Sequence, residues 1–136
     1  MSDPVPAIAE ASATGVIAEL FADIRRVLGV EVVNLIWRHL ATIPDALPLA
    51  WEMLRPLYAD GTIAAEAQAL HGRLALPRLP PLPPDLFAAI GLGSDEFASI
   101  RNILAAYDRT NARALVARSA LLCRLEGAAR DKRADS

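Results

Sequence analysis

Cysteine is almost absent from this chain: Cys123 is the only one in 136 residues. A single thiol excludes an intramolecular disulfide, a CxxC redox pair and a cysteine-based zinc site. It sits in the apolar run Leu121-Leu122-Cys123, which predicts a buried, inert thiol rather than a nucleophile. Lysine is as scarce, Lys132 being the only one, so arginine carries nearly all the positive charge. Net charge is only −2, and there is no basic excess of the kind a general nucleic-acid binder needs for phosphates. No apolar run approaches the roughly 20 residues of a membrane span. The opening stretch MSDPVPAIAEASATG has neither a basic start nor a continuous apolar core, so no secretory signal is expected. A cytoplasmic chain with no nucleic-acid or membrane partner is the expectation.

Other chemistry is missing too. No glycine-rich loop follows a strand, because no strand alternation occurs anywhere. No HxxE or HxxxH motif is present, so no metal and no cofactor are expected. No serine, histidine and aspartate stand in an arrangement that supports a nucleophilic triad.

What is abundant is apolar residues, at 54%, above the roughly 45–50% of ordinary soluble domains. A chain of this length hides such a surplus most simply against a second copy of itself. The apolar positions recur at helical spacing. Val16, Ile17, Leu20, Phe21, Ile24, Val27 and Leu28 form a first stripe, stopped by Gly29, with Asp23 and Arg26 opposite. Val32 to Thr42 reads as a second helix, with Val33, Ile36, Trp37 and Leu40 on one side. A third starts at Pro44 in its first turn, carries Leu47, Ala50, Trp51, Leu54 and Leu57, bends at Pro56 and ends at Asp60-Gly61.

Thr62 then caps a fourth helix, whose buried side is Ile63, Ala67, Leu70 and Leu74. The proline-rich run around 77–85 is an extended connector. PDLFAAIG makes a helical turn. Ser94, with Asp95 and Glu96 behind it, starts a long helical pattern to Gly127, with a break near Asn111. The reading is an all-α compact bundle of about six helices: a flexible lead-in over 1–12, one domain over 13–127 and a frayed tail over 128–136.

Several polar residues could carry chemistry. Asn111 falls on the apolar stripe Ile100, Leu104, Tyr107, Asn111, Leu115, where an amide must find a partner or cost on the order of 1–3 kcal/mol. A helix break satisfying it from the backbone is the plainer alternative. Asn34 stands one turn before Trp37 and Arg38 as a solvated helix position. His71 reads as a core-edge residue. Arg109 and Arg113, one turn apart, suit either a carboxylate clamp or a solvated face.

The segments ELFADIRRVLG, VVNLIWRHLATIPDALPLAWEMLRPLY, PRLPPLPPD and AAYDRTNARALVARSALL, in that order and spacing, resemble one half of a group I D,L-2-haloacid dehalogenase. The resemblance spans roughly residues 13–127. It implies one repeat of a pseudo-dimeric helical fold, so two copies would rebuild the whole. It also implies a hydrolase in which an aspartate activates a water to displace halide and an asparagine holds that water.

Carried onto this chain, the water-orienting asparagine is Asn111. Phe21, Asn34, Ile36, Trp37, Arg38 and Tyr107 would line the pocket for a small carboxylic acid. The family's aspartate position falls on Ile36 in Leu35-Ile36-Trp37-Arg38, and a hydrocarbon cannot accept a proton. Hydrolysis would then need Asp23, Asp45 or Asp108 as base. Two alternatives stand beside this reading: a non-catalytic homodimer that binds a small acid, and an alkylhydroperoxidase-D-like helical protein lacking the redox cysteine pair.

Overall fold

The computed structural model describes residues 5–83 and 85–134, with side chains described to Gly127. A short 3-10 turn (Glu10–Ser12) leads into six helices: α1 (Gly15–Leu28), α2 (Leu35–Leu40), α3 (Ala46–Ala59), α4 (Thr62–Arg73), α5 (Leu86–Ala89) and α6 (Ser94–Ala134). No strand occurs among the described residues. The all-α expectation is therefore met, in a compact arrangement of six helices.

α1 buries Phe21 and Ile24 and ends at Gly29, whose φ of +64° is the left-handed turn that glycine adopts without strain. Asp23 does not face away from the packing, as the stripe alone suggested. Its carboxylate accepts from Trp51 Nε1 at 2.8 Å and from Arg55 Nε at 2.7 Å, both on α3, and it also pairs with Arg26. The Arg55 bond, then the Trp51 bond, holds the Asp23 carboxyl well below the usual carboxylate range.

α2 starts three residues later than Val32. The β-branched Val30, Val32 and Val33 favour extended backbone. Asn34 is the cap rather than a solvated helix residue: its side chain accepts from Ile36 N at 3.1 Å. The Val33 amide is taken instead by Glu10 Oε1 at 2.7 Å, and Glu10 also pairs with Arg25. Ile8 N donates to Arg38 O at 3.1 Å and Arg38 Nε to Ile8 O at 3.0 Å. Part of the segment read as a loose lead-in is thereby tied to α1 and α2.

α3 begins at Ala46, after Asp45 in the left-handed region with φ +60°. Pro44 lies before the helix, and Pro48 takes the first-turn place where a missing N–H is harmless. Pro56 stays within the helix, which runs on to Ala59. It removes the donor for the carbonyl of Glu52, which is an exposed residue.

Gly61, φ +84°, caps α4, and Asp60 Oδ1 accepts from Thr62 N at 2.8 Å. Thr62 is thus the first helical residue, not the cap. Leu74 lies beyond the helix and is half exposed, so it is not part of the buried side. The run from Leu74 to Pro83 has no regular structure and is exposed throughout.

The core is Phe21, Ile24, Val33, Trp37, Leu47, Ala50, Trp51, Leu54, Ile63 and Ala117. At its centre Trp37 and Trp51 meet edge to face, ring centroids 5.5 Å apart, and Tyr58 touches both at 6.2 and 6.0 Å. α6 is unbroken at Asn111 and continues past Gly127 to Ala134. At about 1.5 Å per residue it is about three times as long as α1 or α3, and Ala117 is its one buried residue among those described.

Cys123, expected inside, is exposed, because it stands on α6 beyond the packed middle. No helix among the described residues is long and apolar enough to cross a membrane.

Two outcomes test this packing. Asp23 has a lowered folded pKa, so its stabilising contribution is present above the ordinary carboxylate value of about 3.9 and is lost as pH falls. Asp23→Asn should lower Tm at pH 7 and reduce the drop in Tm on acidification below about pH 5; parallel curves for the two proteins would refute the assignment. Ile63→Ala should cost about 2–5 kcal/mol in urea denaturation, because the residue is fully buried and anchors α4.

Candidate functional site

Two concave regions border α6, on different sides of it. The first is an apolar cavity of about 110 Å³ lined by Ile36, Trp37 and Leu40 of α2, Leu54 of α3, and Ala114, Ala117, Arg118 and Leu121 of α6. The α6 residues recur every three or four positions, so they share one face. Alanine at 114 and 117 leaves the hollow that a larger side chain would fill. The only charged lining residue is Arg118, which is exposed and makes no ion pair or hydrogen bond among the described residues. No carboxylate lines this cavity.

Of the residues the sequence placed at a pocket, the structure brings Ile36 and Trp37 together on one wall. It does not bring the others there. Phe21 is fully buried in the core, and Asn34 caps α2. Arg38 reaches the carbonyl of Ile8. Tyr107 and Asn111 are exposed on α6.

Asn111 lies within an outward apolar stripe, with Ile100, Ile103, Leu104, Tyr107, Leu115, Leu122 and Leu125 all well exposed. Leu115 and Leu122 directly follow Ala114 and Leu121, so this stripe runs beside the cavity's α6 wall. Sequence reading missed Arg118, Ala114, Ala117 and Leu121; their shared helical face was the signal available.

The candidate bases separate cleanly. Asp23 is committed to Trp51, Arg55 and Arg26. Asp45 is exposed ahead of α3. Asp108 lies in the second region, an open groove of about 410 Å³ between α4 and α6, where its Oδ1 is 3.2 Å from His71 Nε2. His71 is therefore an edge residue with an acidic partner.

The groove is lined by Ala64, Ala65, Ala67 and Gln68 with His71, and by Asp108, Arg109, Ala112 and Arg113. Tyr58 lies within electrostatic reach of Arg113. Burial pushes its hydroxyl up to about 12, against the pull of the Arg113 charge. Among the described residues no group of three or more His, Cys, Asp or Glu side chains could hold a metal.

No family model matches this chain, and no solved structure matches it. It is similar to a configuration-inverting 2-haloacid dehalogenase of Alcaligenes xylosoxydans xylosoxydans, at 33% identity over 127 residues. The aligned region covers 89% of this chain but spans only 42% of the length of that protein. The similarity thus reaches nearly the whole helical domain, and the chain is dehalogenase-like over the length of about one half of its relative.

Proposed function

We propose that this chain is a dehalogenase-like protein that receives a small 2-halocarboxylic acid in the apolar cavity behind Ile36 and Trp37. The observation that carries the reading is the lining itself. A hydrocarbon and indole wall suits a halogen and a short alkyl chain, and Arg118, which makes no ion pair or hydrogen bond among the described residues, offers a guanidinium to a carboxylate. The volume of about 110 Å³ favours an acid of few carbons. The similarity to a 2-haloacid dehalogenase supports the same ligand class.

Binding and turnover separate at this site. Displacing halide needs a water stripped of its proton as it attacks the carbon bearing the halogen. Ile36 occupies the position where the resemblance expects the base, and no carboxylate lines the cavity. Asn111 cannot orient a water there within one copy, since it is exposed on the outer stripe.

A second copy docked on that stripe would cover Ile103, Leu104, Tyr107 and Leu115 beside the cavity, and would be the means of bringing a Tyr107 and an Asn111 to it. The half-length match to the relative supports this pairing. So does the exposure of Leu104 and Tyr107 at 63% and 60%, unusual for large apolar side chains arrayed along one helix face.

The unmodified protein should bind 2-chloropropionate, read by quenching of Trp37 and Trp51 fluorescence, yet release no measurable chloride from either hand. General-base catalysis is worth roughly 10²–10⁴-fold, enough for its loss to hide turnover. Ile36→Asp is the rescue variant, and robust chloride release by the natural sequence would overturn the reading of Ile36. Light scattering should show a dimer at micromolar concentration. Leu104→Glu combined with Tyr107→Glu should weaken it at least about tenfold, or ~1.4 kcal/mol, with helicity by circular dichroism unchanged. A monomeric natural protein would remove the pairing.

A further inference from the structure

The α4–α6 groove is a separate place from the apolar cavity, and its chemistry is different. Arg109 and Arg113 stand one turn apart on α6 and both line it. Residues at that spacing are neighbours on a helix surface, and like charges there repel. The usual remedy is an acidic residue one turn away. Here the positions three and four residues to either side of Arg109 are Ala105, Ala106, Ala112 and Arg113. Around Arg113 they are Arg109, Thr110, Val116 and Ala117. Neither guanidinium makes an ion pair or hydrogen bond among the described residues.

Beside them on α6, Asp108, the one carboxylate lining the groove, is engaged by His71 of the facing α4 at 3.2 Å. Two guanidinium charges against one carboxylate leave the groove positive even when His71 is neutral. The short side chains of Ala64, Ala65, Ala67 and Ala112 keep it hollow, at about 410 Å³.

We propose that this groove binds a small molecule bearing a carboxylate or phosphate group, with Arg109 and Arg113 gripping the oxyanion and Asp108 holding the His71 ring at its edge. An anion between the two guanidiniums replaces their mutual repulsion with charge-assisted hydrogen bonds. Gln68, on the α4 wall, is placed to contact the remainder of the ligand. The site is separate from the apolar cavity, whose lining is hydrocarbon and indole apart from Arg118.

The test is calorimetric titration of the full chain with inorganic phosphate and, separately, with succinate. The histidine ring protons are followed by NMR and assigned with His71→Gln. Saturable binding at about millimolar concentration, with the His71 resonances moving and those of His39 unmoved, is the expected result. Arg109→Gln combined with Arg113→Gln should weaken it at least about tenfold. Arg101→Gln combined with Arg124→Gln, two exposed arginines elsewhere on α6, should leave it unchanged. Binding of phosphate alone would specify a phosphate group, and binding of both anions the shared oxyanion chemistry. Equal weakening by both double variants, or no saturable binding of either anion, would overturn the proposal.

Discussion

The carboxylate of Asp23 is the point on which the bundle turns. It belongs to α1, yet it takes hydrogen bonds from Trp51 and Arg55 of α3. A hydrogen bond to a charged acceptor is worth more than a neutral one and is directional. It therefore sets the orientation of the indole as well as the distance between helices. With Trp51 so held, Trp37 meets it edge on and Tyr58 closes against both rings. That trio joins α2 to α3, and Trp37 in turn forms part of the cavity wall. The position of the candidate ligand pocket thus traces back to one acid on another helix.

The rest of the molecule is held more sparingly. α6 crosses the bundle with Ala117 as its buried contact, and its outward face carries large apolar residues from Ile100 to Leu125. Alanines where α6 meets α2 and α4 serve two ends. They leave little side-chain bulk at the crossings, and they leave unfilled space on either side of the helix. One of those spaces is apolar and backed by tryptophan; the other holds two arginines, a histidine and an aspartate. A single helix with different faces thereby presents two chemically unlike concavities.

Much of this was legible beforehand. Gly29 and Asp60-Gly61 punctuate the helices where backbone chemistry requires them, because left-handed turns cost glycine little. The proline run between α4 and α5 stays irregular, since proline offers no amide to a helix. The stripes through Phe21 and Ile24 and through Leu47, Trp51 and Leu54 mark real core faces.

The misreadings share a cause. The local pattern alone misplaces Asp23, Leu74 and Cys123, because each depends on a neighbour distant in sequence or on the lack of one. Asp23 gained α3 as a partner, while Cys123 faces outward on α6. Asn34 and Val33 differ only in detail: β-branched residues and a side-chain cap moved the start of α2.

The sequence by itself determined the helical class, the ends of α1 and α3, the irregular connector and most of the apolar faces. These follow from backbone propensity and periodicity, which act over a few residues. Only the tertiary structure decided which walls meet. Ile36 and Trp37 join Ala114, Ala117, Arg118 and Leu121 because α2 and α6 border one cavity, and His71 reaches Asp108 because α4 packs on α6. Such encounters depend on how whole helices pack, and no local spacing encodes that.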